Sequence, residues 1–301
     1  MLTIQQLRQA AALSSARDIT HIEIDVGLTY LLQLFQQKGL TEHLAFKGGT
    51  FLRKMIFGPR GRLSTDLDFT RRTRISVDDL MLGLLDALDQ PYHGLTFRFD
   101  RNKDWYLTED GCAANPILAH TGNPAGLKIK IQVSTRERPI RPVSPAPQIE
   151  QSYFRHLPFV PAAIPSLATE EVIAEKIRAA SQRSKIRDLY DLSEIARRPL
   201  QKELIRSLAV LKLWESGGLG LDFERFRTRI EGGGDYDLLD LRNLLRKDQS
   251  PDLNLMVTRV IEGFRFLGQL SEAERTLAND STQRHLGAAE TLKAALQLGF
   301  N

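Results

Sequence analysis

The stretch running from Phe46-Lys-Gly-Gly-Thr50 to Leu63-Ser-Thr-Asp-Leu-Asp-Phe-Thr70 organises the chain. Leu44 to Phe46 is a short apolar run that ends at Gly48-Gly49, two residues without a Cβ. Thr50 then opens a helix-like segment, Phe51-Leu-Arg-Lys-Met-Ile-Phe57, which Gly58-Pro59 closes. After a basic loop with Arg60 and Arg62, Leu63 to Thr70 alternates apolar and polar residues, which predicts a strand. On that strand Asp66 and Asp68 share one face, and Leu67 and Phe69 share the other.

Two carboxylates on one face repel each other unless a cation joins them. Mg²⁺ suits the pair, because it takes one or two carboxylates together with substrate phosphates. A Gly-Gly turn before a helix offers open backbone N–H groups and the positive end of the helix dipole to a phosphate. Metal and cradled phosphate together describe phosphoryl or nucleotidyl transfer. Each half has a plainer reading when taken alone, as an ordinary turn or as a solvated strand edge. The order strand, Gly-Gly-Thr, helix, Asp-x-Asp strand is what points to chemistry.

Lys47-Gly-Gly-Thr50 followed by Arg62-x-Ser64-x-Asp66-Leu-Asp68-Phe69 resembles the nucleotidyltransferase toxins of the AbiEii family, the toxin halves of type IV toxin–antitoxin and abortive-infection systems. The resemblance implies a DNA polymerase β-like α/β fold with a mixed sheet. It also implies an NTP substrate, Mg²⁺ on Asp66 and Asp68, and contacts to the nucleotide from Lys47, Gly48, Gly49, Thr50, Arg62 and Ser64. The spacer of 16 residues between Gly49 and Asp66 is long for the superfamily. Polymerase β-like enzymes carry a third carboxylate on the neighbouring strand. The alternating segment Leu127-Lys-Ile-Lys-Ile-Gln-Val-Ser-Thr-Arg136 is that strand, and the corresponding position is Gln132.

With 301 residues, the chain can bury a large core in one or two domains. Its single cysteine, Cys112, excludes an internal disulfide and a cysteine-based zinc site and suits a reducing cytoplasm. Met1-Leu-Thr-Ile-Gln-Gln has neither the basic segment nor the apolar run of a secretion signal, and no apolar run is long enough to span a membrane. A net charge of +4 tolerates a nucleic-acid partner without requiring one.

Residues 2–18 and His21 to Gly39 read as helices, the second largely buried; its Ile22-Glu-Ile-Asp25 start reads as packing. Val77 to Leu88 reads as a helix capped by Ser76. Leu95 to Phe99 and Trp105 to Leu107 read as hairpin strands, and His120 to Gly126 as a loop. Seven prolines between Pro139 and Pro165 predict an extended linker or edge segment. The domain boundary is placed at its end, giving a nucleotidyltransferase domain over 1–165 and a helical domain over 166–301.

Thr169 to Arg198 reads as a helix capped by Thr169, with Glu170 and Glu171 at its positive end. Ile173, Ile177 and Ala180 form its buried stripe, and Lys176, Arg183 and Arg187 share another face if the helix continues. Glu-Lys-Ile followed by Arg187-Asp-Leu-Tyr-Asp191 resembles the second motif block of the AbiEii-type toxins. That resemblance makes Lys176 a ligand of the nucleotide phosphates and Asp188 a completing acid of the site, with Arg187 beside them. Asp191 matches the last acid of the block and is placed to pair with Arg187 across a helical turn. Beyond residue 200 the chain is helical, broken at Gly217-Gly218 and Gly232-Gly233-Gly234.

The expected protein is a cytoplasmic, monomeric toxin that moves a nucleotide from an NTP to an acceptor. The resemblance makes that acceptor the tRNA 3′ end, and it implies a cognate antitoxin from a neighbouring gene. Two alternatives stay open: the same catalytic fold acting on a protein or small molecule, and a non-catalytic nucleotide- or RNA-binding module.

Overall fold

The computed structural model describes residues 1–100, 103–233 and 236–298, so Gly234 of the expected helix break lies outside the described residues. The chain divides into two compact units. The first comprises Met1–Pro139, Val143–Leu167 and Asn243–Ser250; the second comprises Ile140–Pro142, Ala168–Arg242 and Pro251–Asn301. No described helix is long and apolar enough to cross a membrane.

The first unit opens with helices α1 (Ile4–Leu13) and α2 (Ile19–Gln37). Strand β1 (Leu44–Lys47) leads into helix α3 (Gly48–Phe51), which runs on as a π-helical turn over Leu52–Phe57. Strand β2 (Asp66–Arg71) and helix α4 (Val77–Asp89) follow. Ser76 caps α4, accepting a bond from the Asp79 N–H at 3.0 Å. Strands β3 (Leu95–Arg98), β4 (Trp105–Thr108), β5 (Gly111–Ala114), β6 (Ile117–His120), β7 (Asn123–Lys128), β8 (Lys130–Ser134), β9 (Ser144–Ala146) and β10 (Ile164–Ser166) complete it. They form a seven-stranded mixed sheet ordered β4-β5-β8-β2-β1-β10-β9 and a three-stranded sheet ordered β3-β6-β7.

The alternation read from the sequence sets the two faces of the large sheet. Phe46, Leu67, Phe69, Ile131 and Val133 are buried together on one of them. The Phe69 ring lies 5.3 Å from Phe46 and 6.1 Å from Phe35 of α2, centroid to centroid. Aromatic pairs at that spacing add to plain area burial.

Several local expectations change. Leu95–Arg98 and Trp105–Thr108 are not one hairpin: β3 pairs with β6, and β4 pairs with β5. The loop expected from His120 to Gly126 is largely strand, because β7 lies at the edge of its sheet, where Pro124 and Gly126 are tolerated. The single strand expected from Leu127 to Arg136 breaks at Ile129. This residue is fully buried and donates its N–H to Pro116 O at 3.0 Å, and there the chain passes from the small sheet to the large one. The proline-rich segment does supply an edge, β9, which pairs antiparallel with β10.

The second unit is helical: α5 (Thr169–Gln182), α6 (Ile186–Ile195), α7 (Lys202–Glu215), α8 (Phe223–Glu231), α9 (Leu238–Leu244, whose last two residues belong to the first unit), α10 (Leu253–Gly263), α11 (Glu272–Ala278) and α12 (Leu286–Leu298). Thr169 is the first helical residue of α5, not its cap; Ala168 holds the cap position without a side-chain bond. Glu171 is fully buried. Its carboxylate pairs with Lys212 at 2.7 Å and accepts the backbone N–H groups of Ile140 and Arg141, each at 2.9 Å. The helix does not continue to Arg198, because Arg183 is extended (φ −144°, ψ 155°) and separates α5 from α6.

Candidate active site

Register across the large sheet places the carboxylates. Lys47 of β1 lies beside Asp68 of β2, Asp68 lies beside Gln132 of β8, and Gln132 lies beside Ala113 of β5. Asp66, two residues earlier, lies beside Lys130. Partners in register point to the same face, so one face carries two acids flanked by two lysines and an amide. Asp66 and Asp68 are partly exposed, and Lys47 is buried.

The glycines close this block from the β1 side. Gly48 has φ +81°, and a Cβ there would meet Asp68 Oδ2 at 2.3 Å. A Cβ on Gly49 would meet Arg62 Nη2 at 2.5 Å and Ser64 Oγ at 3.4 Å. The motif's glycines are therefore required by the close approach of backbone to acid and guanidinium. Gly48→Ala is expected to strain the backbone by about 1–2 kcal/mol and to displace Asp68. A lowered melting point together with a fall in nucleotide transfer would show it, and wild-type values of both would refute it.

Neighbouring hydroxyls hold the acid strand. Ser64 is buried and donates to Asp66 Oδ1 at 2.7 Å, and Thr50 donates to the Asp66 carbonyl at 2.5 Å. Arg62 is also buried and donates to Leu63 O at 3.2 Å. Leu63 N–H in turn bonds Leu244 O at 2.9 Å, so the segment Asn243–Ser250 braces the loop that carries Arg62 and Ser64. The two partly exposed carboxylates are a hard oxygen donor set of the kind Mg²⁺ takes. Among the described residues, no group of three or more His, Cys, Asp or Glu side chains could hold a metal ion.

The motif block of the second unit forms its own cluster. Lys176 Nζ bridges Asp188 Oδ1 at 2.9 Å and Asp191 Oδ2 at 2.8 Å, and Arg183 Nε reaches Asp188 Oδ2 at 2.9 Å. Asp191 thus pairs with Lys176, not Arg187. Arg187 instead forks onto Asp240 at 2.8 and 2.9 Å. Burial acts to raise the Asp188 pKa, but Lys176 and then Arg183 outweigh it and hold the carboxyl well below the usual carboxylate range. A depressed folded-state pKa contributes stability above the unfolded value of about 3.9, and that stability is lost as pH falls. Acid titration followed by circular dichroism should therefore show the second unit losing stability below about pH 4, more steeply in wild type than in Lys176→Met. Parallel acid profiles would refute the assignment.

The sequence profile of the nucleotidyl transferase AbiEii toxins of type IV toxin–antitoxin systems matches residues 30–279. The chain belongs to the AbiEii nucleotidyltransferase toxin family. No curated protein matches its sequence. Among solved structures, MenT4, a nucleotidyltransferase toxin of Mycobacterium tuberculosis, matches with a TM-score of 0.81 at 25% identity, over 99% of each chain. JHP933 of Helicobacter pylori matches with a TM-score of 0.47 at 19% identity, over 79% of this chain and 90% of that one. The mixed α/β architecture of this AbiEii chain is thus that of a nucleotidyltransferase toxin.

Two features of the toxin escaped the sequence reading. Lys130 stands beside Asp66, and its place two residues before Gln132 on an alternating strand was the available signal. The other is a buried polar cluster behind the glycine helix. Lys54 Nζ lies 2.9 Å from Asp25 O, 3.0 Å from Asp25 Oδ1, 2.8 Å from Thr29 Oγ1 and 3.1 Å from Tyr153 OH. Arg53 Nη2 reaches Asp25 Oδ2 at 3.4 Å, and its Nη1 donates to Gly58 O. Ile22 and Ile24 do pack, but Asp25 anchors this cluster. Two consecutive cations in an otherwise apolar helix, Arg53-Lys54, were the visible hint.

Proposed function

We propose that this toxin transfers a nucleotide from an NTP to the 3′ end of tRNA and so blocks translation, using Mg²⁺ held by Asp66 and Asp68. The observation that carries the reading is the contact of Gly48 with Asp68, which brings the phosphate-cradling turn against the acid pair. The Gly48 and Gly49 N–H groups and the positive end of the helix take the phosphate oxygens. Ser64 and Thr50 fix Asp66 through its side chain and backbone, so the acid meets substrate already oriented. Mg²⁺ bound at the pair would neutralise charge on the triphosphate and on departing pyrophosphate. Lys176, taken from the motif block, acts on triphosphate charge, and Asp188 and Asp191 hold its amine in place. The neutralising partner is the cognate antitoxin of the operon, and the chain acts as a monomer in the cytoplasm.

The test is incubation of the purified chain with each labelled NTP and total RNA, with and without a chelator. Label at the 3′ terminus of tRNA, lost with the chelator, is expected. Label confined to protein or to small molecules would replace the acceptor, and chelator-resistant transfer would remove the metal.

A further inference from the structure

We propose that the acid pair takes a single divalent cation, which enters with the triphosphate, and that Lys130 supplies beside Asp66 the positive charge a second ion would carry. The inference rests on the nucleotidyl-transfer reading above and deepens it.

Two-metal sites clamp the attacking and leaving oxygens between ions that share carboxylates. Here the position in register with Asp68 on β8 is an amide, Gln132, which offers a carbonyl oxygen but no charge. The next position on the same face is a cation, Lys130, in register with Asp66. Its side chain is exposed and makes no ion pair or hydrogen bond among the described residues. Lys47 stands on the other side of Asp68. With buried Arg62, whose guanidinium lies against Gly49 beside Ser64, the block Asp66, Asp68, Lys47, Lys130 and Arg62 has two formal negative and three formal positive charges, a net of +1. A block without net negative charge does little to attract a bare divalent ion, whereas an ion already on a triphosphate brings its own ligands and needs only one or two carboxylate oxygens. Lys130 lies where a cation beside the pair would be repelled and where an anionic acceptor or phosphate would be drawn.

Mn²⁺ binding to the full chain, read by electron paramagnetic resonance, tests this with and without a non-hydrolysable NTP analogue, after subtraction of the analogue's own Mn²⁺ complex. Expected are one Mn²⁺ per chain with the analogue and binding at least about tenfold weaker without it. In Lys130→Met, nucleotide-free Mn²⁺ should bind about tenfold tighter, the effect of a unit charge roughly 6 Å from a divalent ion at the dielectric of water. Gln132→Asp should admit a second Mn²⁺. Lys130 is exposed, so its variant tests charge and not folding. Two Mn²⁺ on the wild-type chain, equal affinity without the analogue, or an unchanged Lys130→Met affinity would each overturn the proposal. Analogue binding measured separately by fluorescence separates the two levels. If the analogue binds and two ions are counted, only this inference falls; if no analogue binds, the reading beneath it falls as well.

Discussion

Asp66→Asn and Asp68→Asn are each expected to lower nucleotide transfer on the order of 10³-fold or more, since several kcal/mol of charge stabilisation at the triphosphate are lost. Asp66→Asn should melt close to the wild-type temperature, whereas Asp68→Asn, which removes a charge beside buried Lys47, should lose no more than about 1–2 kcal/mol of stability. Both carboxylates are partly exposed, and an amide at 66 still accepts the Ser64 hydroxyl. The paired measurement separates a substrate-facing acid from a structural one, because a structural acid would lose stability together with activity. A folded asparagine variant that transfers at the wild-type rate would remove that residue from the site.

Lys54→Met is expected to cost about 3–5 kcal/mol of stability in the first unit, the usual result of stripping one partner from a buried pair. Lys54 and Asp25 are each 1% exposed, so water cannot replace the lost bonds. Burial acts to raise the Asp25 pKa, but Lys54 and Arg53 outweigh it and hold the carboxyl below the usual range. Without Lys54 the charge keeps, among the described residues, Arg53 and the Tyr153 hydroxyl. Urea unfolding of the single variants and of Lys54→Met combined with Asp25→Asn should show strong coupling, with the double variant less destabilised than the sum of the singles. Additive single effects, or a loss under about 1 kcal/mol for Lys54→Met, would show that the cluster does not hold the glycine helix in place.

These predictions draw on the sequence unequally. Gly48-Gly49 and Asp66-x-Asp68 were legible because they depend on short-range rules. A period of two sends both acids to one face whatever strand lies alongside, and paired glycines before a helix mark a close approach. The α4 cap at Ser76 and the buried α2 were readable for the same reason, as was the likeness of the Lys176-to-Asp191 block to the family's second motif. Ser64 was legible as a neighbour of Asp66, but its donation to Oδ1 and its burial were not.

The sequence by itself thus determined the elements of the proposed site and the face each acid shows. The tertiary structure decided which residues those acids meet. Asp66 lies beside Lys130 and Asp68 beside Gln132 only because β2 and β8 run parallel in one register, set by burying Leu67 with Ile131 and Phe69 with Val133. Asp191 pairs with Lys176 because α5 ends at Arg183 and α6 brings its acids back to the amine. Asp25 meets Lys54 and Tyr153 across 29 and 128 positions of chain. Hydrophobic periodicity repeats within a few residues and so appears in the sequence. Charge pairing follows from which apolar faces are buried against each other, and that requires the whole chain to be folded.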